Sequence, residues 1–191
     1  MGTATAATTR PMRADAQRNY DHIVEVASDA FAEHGVLTSL DDIACRAGVG
    51  PGTLYRHFPT RDSLIATALG DSVDRLDTLA AGLKASEAPG EALHEWMLAL
   101  AMHLRTYDNL PESIAEAFRR DDSPLRNSCF PLTDTTSVLV ARAKAAGELR
   151  DEVDPRDVFA LVSSVAWAAQ RRGGTDADLK RMLSLATTGI R

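Results

Sequence analysis

Apolar residues recur at helical spacing along almost the whole chain, and this pattern limits the possible folds more than any other feature. Between residues 20 and 34, for example, Ile23, Ala27 and Phe31 fall on one face of an amphipathic helix. The apolar–polar alternation of a half-buried strand is almost absent. Proline and glycine lie between the periodic segments, where they do not interrupt interior helical hydrogen bonds. The sequence therefore predicts an all-α protein.

The helix breaks divide the chain into a small N-terminal unit and a larger C-terminal bundle. Gly35 ends the first helix, and Ser39 followed by two aspartates marks the start of the second. The turn at 48–50 leads into a third helix at 52–58, and helix, tight glycine turn and helix form the helix-turn-helix motif. Further helices are predicted at 60–84, 90–107, 111–120, 124–146, 155–172 and 175–189.

Several classes of protein are excluded by simple features. The chain has no run of about 18 apolar residues, so we expect neither a membrane span nor a membrane partner. The first ten residues are polar and small and do not form a signal-peptide core. Cys45 and Cys129 are too far apart in the sequence for a metal pair, and two cysteines make no disulfide framework. We expect a protein of the reducing cytoplasm without cofactor or metal, in which Cys129 is a small buried hydrophobe.

Charge is distributed unevenly along the chain. The net charge of −6 argues against a whole-surface binder of nucleic acid, because long-range repulsion opposes approach. Residues 43–61 nevertheless contain no carboxylate and include Arg46, Arg56, His57 and Arg61. A helix that reads DNA needs such a segment, since carboxylates facing phosphates would be repelled.

The third helix has two different faces. Leu54 and Phe58 are four residues apart and are predicted to point inward, whereas Thr53 and Arg56 fall on other faces and Tyr55 near the flank. One side would anchor the helix and the other would present polar, aromatic and cationic groups. A solvated helix that lacks acids by chance has the same appearance, so the motif alone leaves both interpretations open.

The residues themselves are more specific than the motif. Segment 43–64 reads I-A-C-R-A-G-V-G-P-G-T-L-Y-R-H-F-P-T-R-D-S-L and closely resembles the signature of TetR-family transcriptional regulators. Segment 31–35, F-A-E-H-G, resembles the end of the family's first helix, and segment 142–155 is typical of its regulatory half. Segment 13–19 and the Gly-Pro-Gly-Thr turn resemble the SbtR-like subgroup.

This resemblance implies a set of DNA-contacting residues. Ser39 would cap the second helix against a phosphate, and Thr53 and Arg56 would reach base edges. Gly48 would make the turn and Gly52 would permit close approach to DNA. The donors to backbone phosphates would be Tyr55, His57 and Arg61.

Two positions depart from the family pattern, which often has serine where Gly50 stands and a polar residue where Pro51 stands. A capping hydroxyl and a phosphate donor are thus missing, although Gly50 stays among the candidate DNA-binding residues. A basic arm that enters a minor groove would be formed by Arg10, Arg13 and Arg18. The alternative for this segment is that it is simply disordered.

The resemblance also implies a domain plan: a flexible arm at 1–12, a helix-turn-helix domain at 13–60 and a regulatory and dimerisation domain at 61–191. The effector is not named by the sequence, and ordinary core packing is the alternative for every residue of this half. The candidate effector-binding residues are Trp96, Met97, Leu100, His103, Phe118 and Trp167. The candidate dimer-interface residues are Phe159, Val162, Val165, Leu179 and Leu183.

Other functions fit less well. His94 and Glu95 begin a zinc-protease motif, but Leu98 occupies the place of its second histidine. The glycines of the turn are not a dinucleotide-binding motif, because no strand precedes them. We therefore expect no enzyme, and a helical adaptor would not explain the acid-free segment. The hypothesis is a homodimeric, ligand-responsive repressor that binds a palindromic DNA operator, with the helix from Thr60 as the lever. Activation in place of repression stays open.

Overall fold

The structure is a computed structural model that describes residues 9–188, with side chains from residue 15 onward. Every regular element within these residues is an α-helix, which confirms the predicted fold class. The helices are α1 (Thr9–His34), α2 (Leu40–Arg46), α3 (Pro51–His57), α4 (Arg61–Ala68), α5 (Gly70–Lys84), α6 (Pro89–Thr106), α7 (Leu110–Ala117), α8 (Pro124–Ala145), α9 (Pro155–Arg171) and α10 (Asp176–Thr187). None of them is long and apolar enough to cross a membrane.

Helix starts coincide with capping residues in the sequence. At α4 the Thr60 hydroxyl accepts from the Ser63 amide at 3.1 Å, and Ser63 Oγ accepts from the Thr60 amide at 3.3 Å. Thr175 and Asp178 form the same reciprocal pair at α10. Hydrogen bonds from the Thr175 amide and from Arg181 lower the pKa of Asp178 to about 2. Proline occupies the first turn of α3, α6, α7, α8 and α9, where its missing N–H is not needed.

The segment predicted as one helix at 60–84 is two helices. α4 ends at Ala68 and α5 begins at Gly70, with Leu69 between them at φ −93° and ψ 3°. The Leu69 carbonyl accepts from the Ser72 and Val73 amides, both at 3.1 Å, and from the Ser72 hydroxyl at 2.8 Å, so it starts the hydrogen bonds of α5. Glycine destabilises a helix interior, which is consistent with the position of Gly70 at the start of α5 and not inside one long helix.

The first helix begins earlier than the sequence analysis predicts. α1 starts at Thr9, so residues 9–12 are helical where a flexible arm was predicted. Arg10, Arg13 and Arg18 therefore lie along α1, and the Arg18 side chain pairs with Asp15 one turn away. Residues 1–8, the rest of the predicted arm, lie outside the described residues.

α6 is the central helix of the C-terminal bundle and packs against α5, α8, α9 and α10. Its buried face includes Trp96, whose indole Nε1 donates to Thr136 Oγ1 on α8 at 2.9 Å. The hydroxyl of Thr136 in turn donates to the Leu132 carbonyl at 2.8 Å, so the polar atoms of this contact are satisfied although both residues are buried. Cys129 on α8 is also buried, as predicted, and burial raises the pKa of its thiol to about 12.

The N-terminal unit, α1 to α4, is joined to the bundle by the packing of α4 against α8 and by two hydrogen bonds near α7. The Val36 amide, in the loop after α1, donates to the Asp108 carbonyl just before α7 at 2.9 Å. Asp62 on α4 accepts from the buried Ser123 hydroxyl, at the start of α8, at 2.7 Å. These contacts lie just before and shortly after α7, so this short helix is tied to the N-terminal unit at both of its ends.

We predict that Leu100→Ala lowers the free energy of unfolding by about 2–5 kcal/mol, because Leu100 is fully buried on the central helix and its loss leaves a cavity. Leu37→Ala is the matched control: this leucine is 57% exposed in the loop after α1, and its loss is expected to change stability by about 0.5 kcal/mol or less. Urea denaturation of the two variants measures both effects. Equal losses would contradict the described packing.

Candidate nucleic-acid interface

The turn between α2 and α3 depends on one glycine. Gly48 has φ +64°, in the left-handed region that side chains with a Cβ rarely adopt. Its amide donates to the Cys45 carbonyl at 3.1 Å, and the Val49 amide donates to the Ala44 carbonyl at 3.0 Å. These two bonds close the end of α2 and reverse the chain into α3 within four residues.

Ser39 caps α2 from an exposed position. Its hydroxyl oxygen accepts from the Asp42 amide at 3.4 Å, which uses a lone pair of the oxygen and leaves the hydroxyl proton free. The predicted cap on α2 is therefore present, and the hydroxyl proton of Ser39 is available to an acceptor outside the chain.

α3 is anchored on one side and open on the other. Leu54 and Phe58 are 1% and 2% exposed, whereas Tyr55 is 45% exposed and Arg56 is exposed as well. Thr53 is half-buried at the edge of the open side. Among the described residues Arg56 has neither an ion-pair partner nor a hydrogen-bond partner for its guanidinium. The open side thus presents a hydroxyl, a phenol and an uncompensated cation.

Gly50 and Gly52 are exposed, and a Cβ on either would meet no atom of the chain within 4 Å. Gly50 precedes α3 with an extended backbone, φ −70° and ψ 150°, and supplies no side-chain cap. The fold itself therefore does not require glycine at either position. Their bare backbone is available to an outside surface that comes close to the start of α3.

His57 lies in an aromatic cluster with α1. Its ring meets Tyr20 edge-on at 5.9 Å between centroids, and Tyr20 stacks on Phe58 at 5.0 Å. His57 Nε2 is buried and has no hydrogen-bond partner among the described residues. In this arrangement that nitrogen packs against protein, whereas the sequence analysis predicted that His57 donates to a phosphate.

Arg61 also differs from its predicted role. Its Nη1 donates to the carbonyls of Val36 at 2.9 Å and Thr38 at 2.5 Å, which joins the start of α4 to the loop after α1. Two of the five guanidinium donors are therefore used inside the protein, because the loop turns its carbonyls toward α4. Arg61 holds the loop in place and has fewer donors left for DNA than expected.

The acid-free segment of the sequence is not free of acids in space. Glu33, at the end of α1, pairs with Arg46 of α2 at 3.2 Å. Both side chains are half exposed, so the pair partly neutralises one of the four basic residues predicted for this surface. Sequence spacing could not reveal this contact, because the two residues belong to different helices.

The described fold and site define a class: helical proteins that carry a helix-turn-helix unit for DNA on a larger helical bundle. Residues 23–68 match the family model described as bacterial regulatory proteins of the tetR family. Residues 88–191, more than half of the chain, match the model described as the C-terminal domain of SbtR-like transcriptional regulators. The chain belongs to the TetR family of transcriptional regulators, and the predicted family and subgroup are confirmed.

Known relatives agree with this membership. The HTH-type transcriptional repressor Rv3405c of Mycobacterium tuberculosis is 42% identical over 72 residues, which cover 37% of this chain and 36% of the relative. The HTH-type transcriptional repressor KstR2 of Rhodococcus jostii is 30% identical over 88% of this chain and 89% of its own length. The crystal structure of the TetR transcriptional regulator SCO0520 from Streptomyces coelicolor superposes with a TM-score of 0.58 at 32% identity, over 90% of this chain and 98% of that one.

The predicted effector-binding residues are not brought together. Trp96 and Leu100 are part of the core of the bundle, and Met97 lines a cavity of about 330 Å³ near the start of α6. His103 lines a separate groove beside Arg75. Core packing, the alternative considered above, accounts for the two fully buried residues.

Phe118 lines a third cavity, of about 410 Å³, between α7, α8 and α9. We call it the α7–α9 cavity. Trp167 is 44% exposed on α9 and donates to Glu112 Oε1 on α7 at 2.6 Å. Most residues that line this cavity, on α7, α8 and α9, were not singled out in the sequence, because hydroxyl and small side chains resemble an ordinary helix surface.

The predicted dimer-interface residues are also in the core. Each of the five is at most 8% exposed within the single chain, so their side chains are covered before any partner binds. They are Phe159, Val162, Val165, Leu179 and Leu183. Most of these side chains lie in the core between α9, α10 and α6, whereas Phe159 faces α7. Their place in a dimer interface stays a prediction, and the more exposed faces of α9 and α10 are the surface that a single chain offers to a partner.

Burial, together with the charge of Arg75, lowers the pKa of His103 from its usual 6.5 to about 4. The imidazole is therefore neutral in the folded protein at pH 7. The imidazole of the unfolded chain binds a proton more readily than that of the folded protein. The contribution of neutral His103 to stability is therefore fully present above pH 6.5 and is lost as the pH drops toward 4.

We predict that His103 makes the protein lose up to about 3 kcal/mol of stability between pH 6.5 and pH 4, at 1.36 kcal/mol per pKa unit. His103→Gln should remove this part of the pH dependence, since glutamine does not titrate. Urea denaturation of both proteins over this pH range is the measurement. Parallel stability curves for the two proteins would rule out a lowered pKa for His103.

Proposed function

We propose that the protein is a homodimeric repressor that binds a palindromic DNA operator and releases it when a small-molecule effector binds. The observation that carries the proposal is the open side of α3, where Tyr55 and Arg56 are exposed above the buried Leu54 and Phe58, and where Arg56 has no ion-pair partner among the described residues. A helix anchored in this way can enter a major groove without losing its own packing. The repressor names of the similar proteins support the direction of the regulation.

Each exposed group has a DNA partner of matching chemistry. Arg56 would donate two hydrogen bonds to the O6 and N7 of a guanine, and Thr53 would contact a neighbouring base edge. Tyr55 and Ser39 would donate to phosphates on either side and set the register of α3. Gly50 and Gly52 would allow the backbone of α3 to come close to the DNA.

The overall charge supports specific over nonspecific binding. The chain carries −6, so DNA is repelled from most of its surface and attracted only at the helix-turn-helix unit. We expect few phosphate contacts per subunit and weak binding to random DNA. The inward ties of Arg61 and the pairing of Arg46 with Glu33 reduce the number of such contacts further.

A second copy of the chain is the proposed protein partner. Met182, Leu185 and Ala186 lie on one face of α10, and Leu185 is 67% exposed there. Leu161 of α9, which packs beside α10, is half-buried. Two such faces related by a two-fold axis would bury these side chains and place two α3 helices against the halves of a palindrome.

Coupling between effector and operator would use the contacts around α7. Asp62 of α4 is held by Ser123 and, at 3.6 Å, by Arg120, both in the segment after α7. The Asp108 carbonyl before α7 holds the Val36 amide. An effector that binds one spacing of the two DNA-binding units more tightly would shift the population toward that spacing.

We predict that Arg56→Ala and Tyr55→Ala each abolish tight binding of the operator, because one removes the base contact and the other a phosphate contact. The loss for one good bidentate pair corresponds to about 1–3 kcal/mol per subunit. Fluorescence anisotropy with an operator selected from genomic fragments measures the affinity. Arg56→Ala should also relax the preference for guanine at one position of each half-site.

The matched control is Arg119→Ala, which removes an arginine paired with Glu116 at the exposed end of α7. Operator affinity should stay as in the unchanged protein, and all three variants should keep its oligomeric state. Unchanged operator affinity in both α3 variants would sink the assignment of α3 as the DNA-reading helix.

We predict that Leu185→Asp converts the dimer to monomers, because a carboxylate on each copy would be buried without a partner at the two-fold interface. Sedimentation velocity gives the oligomeric state. Val138→Asp is the control, since Val138 is an exposed apolar residue of α8 outside the proposed face. A dimer lost in the Val138 variant and retained in the Leu185 variant would place the interface elsewhere.

A further inference from the structure

The α7–α9 cavity is large enough for a small ligand and is apolar over most of its wall. Its volume of about 410 Å³ lies within the usual range for ligand pockets. Ile114 and Ala115 of α7 and Phe118 directly after it form one side, and Phe159 of α9 meets Phe118 edge-on at 5.8 Å between centroids. Such a wall favours the apolar part of a ligand, because contact removes its surface from water.

The uncharged polar side chains that line the cavity carry four hydroxyl groups, and each donates to a carbonyl of its own helix. On α8, Thr133 donates to the Phe130 carbonyl at 2.9 Å, and Ser137 donates to the Thr133 carbonyl at 2.9 Å. On α9, Ser163 and Ser164 donate to the carbonyls four residues earlier, at 2.9 and 2.8 Å. Since the hydroxyl protons are used, the oxygens offer a ligand only lone pairs.

The one charged residue that lines the α7–α9 cavity, among the residues that the structure describes, is already paired. Arg156 donates from Nε to Asp154 Oδ1 at 3.2 Å and from Nη2 to Asp154 Oδ2 at 3.1 Å. Its side chain is 92% exposed, so the cation lies in solvent and not in the apolar space. A carboxylate ligand in the apolar space would therefore be buried without a cation beside it, whereas a neutral ligand carries no such cost.

We infer that the α7–α9 cavity binds a neutral, mainly apolar molecule that carries a hydroxyl donor, that is, an alcohol. The apolar walls contact its hydrocarbon part, and the oxygens of Ser137 or Ser163 accept from its hydroxyl group. The inference rests on the proposed function in one respect: the alcohol is taken to be the effector. α7 forms one wall of the cavity, and the residues on either side of α7 contact the DNA-binding unit. A ligand in the cavity would therefore change the position of that unit through α7.

Calorimetry with the full-length protein and three probes of equal length tests the ligand class. The probes are 1-octanol, octanoate and methyl heptyl ether. We expect 1-octanol to bind at least tenfold more tightly than octanoate, which is charged, and than the ether, which has no donor. Each methylene removed from the alcohol should weaken binding about fourfold. Binding of octanoate or of the ether as tight as that of 1-octanol would overturn the inference.

Two pairs of variants locate the site. Ala160→Phe fills the cavity from α9 and should abolish 1-octanol binding, whereas Ala145→Phe, at the exposed end of α8, should not. Combined Ser137→Ala and Ser163→Ala should weaken 1-octanol at least tenfold and leave the ether unchanged. Ser128→Ala is the control, since Ser128 also donates to its own helix, at 2.8 Å to the Leu125 carbonyl, but does not line the cavity. Unchanged 1-octanol affinity in Ala160→Phe would exclude this cavity as the site.

The failure of this inference can be distinguished from the failure of the proposed function. Operator affinity without any probe tests the function alone, and it should be the same in Ala145→Phe, outside the cavity, as in the unchanged protein. Release of the operator by 1-octanol, lost in Ala160→Phe, supports the cavity as the effector site. An operator bound tightly and indifferent to saturating 1-octanol would refute the effector role of the alcohol while the DNA-binding assignment stands.

Discussion

The burial of Leu54 and Phe58 is the contact on which the candidate DNA-binding surface depends. These two side chains, four residues apart on α3, pack into a core that also includes residues of α1 and α4. The ring of Phe58 stacks on the ring of Tyr20 from α1. With that side of α3 fixed, helical geometry leaves Tyr55 and Arg56 on the outside. A short helix of seven residues has little stability of its own, so its orientation comes from this packing.

The electrostatics of the surface follow from the same arrangement, but not in the way that residue order suggests. A segment without carboxylates is a necessary condition for approach to DNA, yet basic residues within it also make contacts inside the protein. Arg61 is tied to loop carbonyls, and Arg46 is paired with Glu33 of another helix. Arg56, without a partner among the described residues, is therefore the main cation of the open side. Selectivity for one operator then depends more on this residue than on total charge.

In the bundle, apolar residues with the same helical spacing have different roles: some fill the core and others line a cavity. Large apolar residues such as Trp96 and Leu100 fill the space around the central helix and are closed to ligands. The largely apolar space of the α7–α9 cavity is bordered instead by small and hydroxyl side chains of α8 and α9. α7 forms one wall of this space, and the residues just before and after α7 hold the N-terminal unit, so one short helix links the proposed effector site to the contacts with α4.

The sequence by itself determined the all-α class, most of the helix starts and the helix-turn-helix unit, because caps, glycine turns and helical periodicity act between residues close in the chain. It also determined the inward side of α3, where Leu54 and Phe58 share one face. Only the tertiary structure decided that Arg61 and the Nε2 of His57 are engaged within the unit and which apolar side chains are buried in the single chain. These outcomes depend on contacts between helices distant in sequence, and the same apolar pattern serves a core, an interface or a cavity wall equally well.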